Sequence, residues 1–179
     1  WDVPHNIADL IELMGGKEAF RNNLETMYNT PLGEAKYVFY AQLPDHTGNV
    51  GQFSMANEPS MHIPYLYNYI GEPWRTQKRV RTLLDEWFRN DLMGLPGDED
   101  GGGMSAFVVF SMLGFYPITP GLPIYVIGTP MFERAVIETG AGKSFTKCIK
   151  VVRSEKTGAY QFKEEVVHND HVKDFFTKK

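Results

Sequence analysis

Two stretches of this chain, PSMHIPYLYNYI at residues 59–70 and MSAFVVFSMLGF at residues 104–115, are apolar on nearly every side. A helix with no polar face cannot rest on a protein surface and must be enclosed by other elements. Most of the remaining N-terminal sequence reads as the helices that enclose these two. Ile7, Leu10, Ile11 and Met14 follow the i, i+3, i+4, i+7 spacing of an amphipathic helix that Gly15-Gly16 ends. A second helix fits residues 17–29, with Phe20, Leu24 and Met27 on one stripe and Pro31 just beyond. A third follows Pro73, with Trp74, Gln77, Val80, Arg81, Leu84, Trp87 and Phe88 on one stripe and Arg75, Lys78, Arg79, Asp85 and Arg89 mostly on the wet side. Alternation of fully buried and one-sided helices is the pattern of a bundle or of an α/α toroid. Pro64 bends or delays the first buried helix.

The period changes after residue 124. IYVIG, RAVIET and SFTKCIKVV favour β-branched residues, with GTP and GAGK as turn signals between them, and predict a small antiparallel sheet. The expected division is therefore helical over residues 1–123 and strand-forming over 124–179. Residues 30–56 are rich in Pro, Gly, Asp and Asn, and LPDHTGNVGQ reads as an irregular loop long enough to serve a site. Residues 153–179 are polar with a Lys-rich end and carry no recognisable site.

Composition narrows the partners. A formal net charge of −4 without any Lys/Arg stripe argues against nucleic acid. The longest uncharged apolar run, near residues 104–132, is broken by Gly114, Pro117, Pro120, Gly121 and Pro123, so no membrane span is expected. The single Cys148 excludes an internal disulfide and a Cys-type zinc site, and leaves the compartment open. Aromatic residues reach 13%; such side chains fill cores and also line clefts for sugars or flat ligands. The chain opens on Trp1, within what reads as structured sequence, which gives the expectation of a piece of a longer protein.

The densest charge lies on the least constrained backbone, in GLPGDEDGGGMSAF at residues 94–107. Carboxylates at i and i+2 of an extended or turn segment point the same way, so Asp98 and Asp100 can converge while Glu99 faces elsewhere. Two close carboxylates serve a divalent cation or a general base that activates water. The alternative is a solvated acidic turn that favours the N-terminus of the helix from about Gly103 through its dipole. In SMANEPSMHIPYLYNY, Asn57 and Glu58 precede Pro59, where Asn57 or Ser60 can cap a helix or offer hard oxygen ligands to calcium or sugar hydroxyls. His62, Tyr65 and Tyr69 share one helical face by spacing, and His62 reads either as a core histidine or as a ligand. Asp2, His5 and the Asp45-His46 pair are further polar candidates, without metal spacing. No nucleophile elbow supports a Ser-His-Asp reading, and there is no phosphate loop.

Taken together, WDVPHNIADLIELMGG, NEPSMHIPYLYNYIGEPWRTQKRVR, GLPGDEDGGGMSAFVVFSMLGFYPITPG and YVIGTPMFERAVI resemble the C-terminal half of the catalytic region of glycoside hydrolase family 92, over roughly residues 1–147 and in the family's order. The resemblance implies calcium-dependent exo-α-mannosidases that are secreted or periplasmic and trim mannose-containing glycans. It implies a mainly α fold with a β portion: part of an (α/α)6 toroid over residues 1–123, then strands over 124–179 returning to an antiparallel β-sandwich. It implies inversion, with Asp98 and Asp100 of the G-D-x-D-G stretch as the base candidates and Asn57, Glu58 and His62 shaping the mannose and calcium (Ca2+) pocket. Asn57 and Glu58 are the candidate metal ligands.

Two departures follow from the resemblance. The family's general acid is a glutamate in an E-G-N-x-W-Q-Y-like segment upstream of W-x-V-P-H, so the missing N-terminal part of the same enzyme is an implied partner and this chain by itself is expected to be inactive. Members specific for α-1,2 linkages carry His and an acidic residue directly before N-E-P, where this chain has Met55 and Ala56. The rival expectations are a non-catalytic or mannose- and calcium-binding piece without a proton donor, and a plain helical protein with a solvated acidic loop.

Overall fold

The structure is a computed structural model and describes residues 1–43, 46–137, 145–153 and 160–177. Asp45 and the GAGK turn lie outside the described residues. Two compact units, Trp1–Thr129 and Pro130–Lys179, divide the chain.

In the first unit, α1 (Ile7–Leu13), α2 (Lys17–Asn29) and α4 (Pro73–Trp87) occupy the ranges their periodicity predicts. Asn6 caps α1 by accepting from the Asp9 amide at 3.2 Å. The segment between α2 and α4 holds more structure than its composition indicates. It contains α3 (Lys36–Gln42) and the two-residue strands β1 (Asn49–Val50) and β2 (Phe53–Ser54), paired antiparallel. α3 has no side-chain cap and buries no residue completely, so neither signal that marks a helix in sequence is present.

The first apolar stretch corrects an expectation. It is not an α-helix but two 3-10 segments, Glu58–Ser60 and Ile63–Ile70. Pro59 and Pro64 each remove an amide donor at a segment start, and the tighter turn tolerates this. With three residues per turn, Asn68 rather than Tyr69 falls in line with His62 and Tyr65. Accordingly Tyr65 is fully buried, Asn68 donates to the Ile127 carbonyl at 2.9 Å, and Tyr69 is half-buried.

The second apolar stretch forms α5 (Gly103–Leu113). Its inner face carries Met104, Phe107 and Ser111, all completely buried. Tyr65 and Ser111 share a hydrogen bond of 2.8 Å, and the Tyr65 ring stacks on Tyr116 with centroids 4.9 Å apart. Burial raises the Tyr65 phenol well above its ordinary value, and the Ser111 hydrogen bond opposes that rise. The outer face of α5 is not enclosed among the described residues: Val109 is 56% exposed. Beyond α5, β3 (Phe115–Tyr116) pairs antiparallel with β4 (Val126–Ile127). One apolar cluster joins these elements, centred on Phe20, Leu24, Phe53, Tyr65, Leu66, Val80, Leu83 and Phe107. At its edge, Arg75 pairs with Glu72 at 2.5 Å and Glu25 at 3.0 Å, and Glu72 also meets Arg21 at 3.3 Å, tying α2 to α4.

In the second unit, β5 (Phe145–Arg153) and β6 (Tyr160–His168) form an antiparallel ladder in register from Phe145 opposite His168 to Arg153 opposite Tyr160. A short α6 (Val172–Thr177) follows, with Phe176 buried and the Arg134 guanidinium 4.4 Å from its ring centroid. The antiparallel pairing is as expected, but among the described residues it consists of three separate two-stranded ladders. Residues 134–137 of RAVIET form no strand, β6 falls within the span expected to form strands, and α6 is a helix in a span where only strands were expected. No helix among the described residues is long and apolar enough to cross a membrane.

Phe107 contacts the rings of Tyr65, Phe88 and Tyr116. Phe107→Ala should lower the unfolding free energy of the chain by about 3–5 kcal/mol in denaturant titration. A loss below about 1 kcal/mol would show that Phe107 is not central to this core.

Candidate active site

The acidic loop is fixed at both ends against the Asn57-Glu58-Pro59 segment. At its start, a Cβ on Gly97 would lie 2.7 Å from the Ala56 Cβ and 3.3 Å from the Thr47 Oγ1. Gly97 also has φ +91°, a conformation that disfavours any larger residue. At its end, a Cβ on Gly103 would sit 3.5 Å from the Glu58 Cγ, so the start of α5 runs close to the Glu58 stem. The strand before Asn57 is held in turn: the Met55 amide donates to the Gly48 carbonyl at 3.0 Å and the Ala56 amide to the Thr47 carbonyl at 3.2 Å.

Within the loop the three acids do different things. Glu99 folds back on the start of α5, accepting from the Ser105 amide at 2.9 Å and from the Gly102 amide. Those amides pull its carboxyl below the ordinary carboxylate range. Glu99 therefore does the work of a helix cap, which the solvated-turn reading had given to the whole triplet. Asp98 and Asp100 are exposed, and their side chains make no hydrogen bond or ion pair among the described residues. Asp100 has φ +52°, the non-glycine residue with positive φ among the described residues. Asp tolerates this region better than most residues.

Asn57 and Glu58 are half-buried at the start of the 3-10 segment, and the Asn57 side chain makes no cap hydrogen bond there. The structure thus brings Asn57, Glu58 and the acidic loop together. His62 takes a different position. It is buried, and its Nε2–H donates to the Trp1 carbonyl at 2.9 Å. Burial lowers its pKa, against the opposing pull of the Trp1 carbonyl. His62 anchors the N-terminal segment, whose Trp1 ring packs edge-on against Phe20 at 5.2 Å and whose Pro4 carbonyl accepts from Thr119 at 2.7 Å.

With this geometry in view, likeness to known proteins is informative. Residues 1–174 match the model of the glycosyl hydrolase family 92 catalytic domain, and the chain belongs to that family. It is similar to a family 92 α-mannosidase of Bacteroides thetaiotaomicron solved with mannoimidazole, at 32% identity and a TM-score of 0.66 over 89% of this chain and 18% of that one. It is also similar to an inverting family 92 mannosidase of the same organism, at 38% identity and a TM-score of 0.62 over 80% of this chain and 20% of that one. An uncharacterized secreted glycosidase of Arthroderma benhamiae is 33% identical over 136 residues, which are 76% of this chain and 15% of that protein. The chain therefore spans about a fifth or less of these relatives.

Two outcomes follow from the site. Because the Glu99 pKa is depressed by folding, its contribution to stability is present above its unfolded value and is lost as pH falls through the folded value. Glu99→Gln should accordingly flatten the acid limb of a melting-temperature profile, and an unchanged limb would show that the cap carries no charge-dependent stability. Gly97→Ala should destabilise the chain by about 1–3 kcal/mol in denaturant unfolding, from the contact with Ala56 and the positive φ together.

Proposed function

We propose that this chain contributes the base side of the active site of a secreted or periplasmic exo-α-mannosidase that releases terminal α-linked mannose from glycans with inversion. The observation that carries the reading is the division of labour in the acidic loop. Glu99 is occupied by helix amides, whereas the side chains of Asp98 and Asp100, in the loop whose ends lie close to Ala56 and Glu58, have no hydrogen-bond or ion-pair partner among the described residues. Inversion requires one carboxylate to activate water and an acid on the other side of the glycosidic bond to protonate the departing oxygen. Asp98 and Asp100 take the first role; the acid is assigned to a glutamate outside these residues. The (α/α)6 toroid belongs to the same proposal, with further helices covering the apolar outer face of α5.

A calcium ion, which would polarise sugar hydroxyls in such a site, takes about six to eight oxygen ligands. Asn57 and Glu58 are of the right chemical kind, but among the described residues no group of three His, Cys, Asp or Glu side chains converges. The chain alone does not fit as a complete cage, so these two residues are proposed as contributors to one, and His62 as support for the pocket wall through the Trp1 segment.

Met55 and Ala56 are fully buried and packed against Gly48 and Gly97. They leave no polar side chain at those positions to meet the departing sugar, which disfavours the α-1,2 linkage.

Asn tolerates the backbone of Asp100 and removes only the charge. In the enzyme that carries this chain, Asp100→Asn should cut turnover of an aryl α-mannoside by about 10²–10⁴-fold, with little change in melting temperature. Near-normal turnover would remove Asp100 from the mechanism.

A further inference from the structure

Three consecutive residues at the tip of the acidic loop have positive φ: Asp100 at +52°, Gly101 at +65° and Gly102 at +104°. Glycine adopts this region freely, but an aspartate does so as a minority state, and such a backbone persists only where its surroundings impose it. Packing does not impose it here, because a Cβ on Gly101 or Gly102 would meet nothing within 4 Å among the described residues. Hydrogen bonds through Glu99 do. Its carboxylate accepts from the Gly102 amide and, at 2.9 Å, from the Ser105 amide, while its own carbonyl accepts from the Met104 amide at 3.2 Å. Asp100 lies inside the loop that these bonds close, and its carbonyl accepts from the Gly103 amide at 3.3 Å.

We propose that Glu99 is a positioning residue for hydrolysis: by clasping the start of α5 it holds Asp100 at positive φ and so aims the Asp100 carboxylate at the water to be activated. The inference rests on the base role given above to Asp100. Glu99 touches no reacting atom in this scheme, since both of its oxygens are taken by amides. Without the clasp, residue 100 returns to the negative φ that L-residues favour, which redirects its Cα–Cβ bond. A misplacement of about 1 Å at a reacting group is enough to cost about 10²-fold in rate, and the loss falls on turnover rather than on ground-state binding.

The test measures kcat and KM on an aryl α-mannoside in the enzyme that carries this chain, for Glu99→Ala and Glu99→Gln, each alone and combined with Asp100→Asn, at a temperature where circular dichroism shows the variants folded. Glu99→Ala should lower kcat about 10–100-fold and change KM less than about threefold. Glu99→Gln keeps one acceptor oxygen and should recover part of that loss. In the Asp100→Asn background Glu99→Ala should change kcat less than about threefold, because the carboxylate that Glu99 positions is already gone. If Glu99→Ala does not fold, Glu99→Gln carries the same comparison, with a loss of about threefold or more that is confined to the background retaining Asp100. The inference is overturned by a normal kcat in the folded Glu99 variants or by a loss confined to KM. It is equally overturned by the same fold-loss in both backgrounds, which marks an effect on the fold rather than through Asp100. A normal kcat in Glu99→Ala beside a large loss in Asp100→Asn sinks the positioning role and leaves the proposed function standing. Near-normal turnover in Asp100→Asn removes the base role itself, and the positioning role with it.

Discussion

The approach of Gly97 to Ala56 is the constraint on which the site depends. There is no room for a side chain larger than hydrogen at position 97, because the Ala56 Cβ would be only 2.7 Å from a new Cβ. The contact welds the entry of the acidic loop to the strand that leads into Asn57-Glu58, and the Gly103–Glu58 contact does the same at the exit. A glycine-rich loop is flexible by composition. Here its glycines serve the opposite end, letting the backbone at position 97 come close to Ala56.

The same contact restricts position 56. Ala56 is 2% exposed and faces Gly97, so a longer acidic side chain at position 56 would have to displace the loop that carries Asp98 and Asp100. Position 56 and position 97 are therefore coupled: a small residue at one permits close packing by the other. In this chain the pair is resolved in favour of packing, with apolar, fully buried side chains at positions 55 and 56.

The regular amphipathic helices were legible because burial on one face writes a 3.6-residue period into the sequence, as α2 and α4 demonstrate. The segment at residues 58–70 was legible as buried but not as 3-10, since an all-apolar run carries no period from which to tell the two helices apart. α3 was illegible for the opposite reason: it is uncapped and has no fully buried face, so tertiary context rather than local signal decides it. β6 alternates too weakly with its charged residues to be read without its partner strand, and pairing with β5 supplies what the pattern lacks. In the site, residue types and spacing singled out the acidic triplet and the Asn-Glu-Pro segment. They could not show that His62 turns to the Trp1 carbonyl, a contact made across 61 residues.

Glu99 explains why a buried helix follows the acidic loop directly. The first amides of α5 have no partner within the helix, and its N-terminus attracts negative charge. A carboxylate is needed there, and Glu99 supplies it through the amides of Gly102 and Ser105. The Met104 amide also donates to the Glu99 backbone carbonyl at 3.2 Å, so residue 99 is held by main chain and side chain together. Its neighbours on either side are then fixed in space without spending their own carboxylates on structure. The helix is the anchor and Glu99 the tether, while the side chains of the two aspartates make no hydrogen bond or ion pair among the described residues.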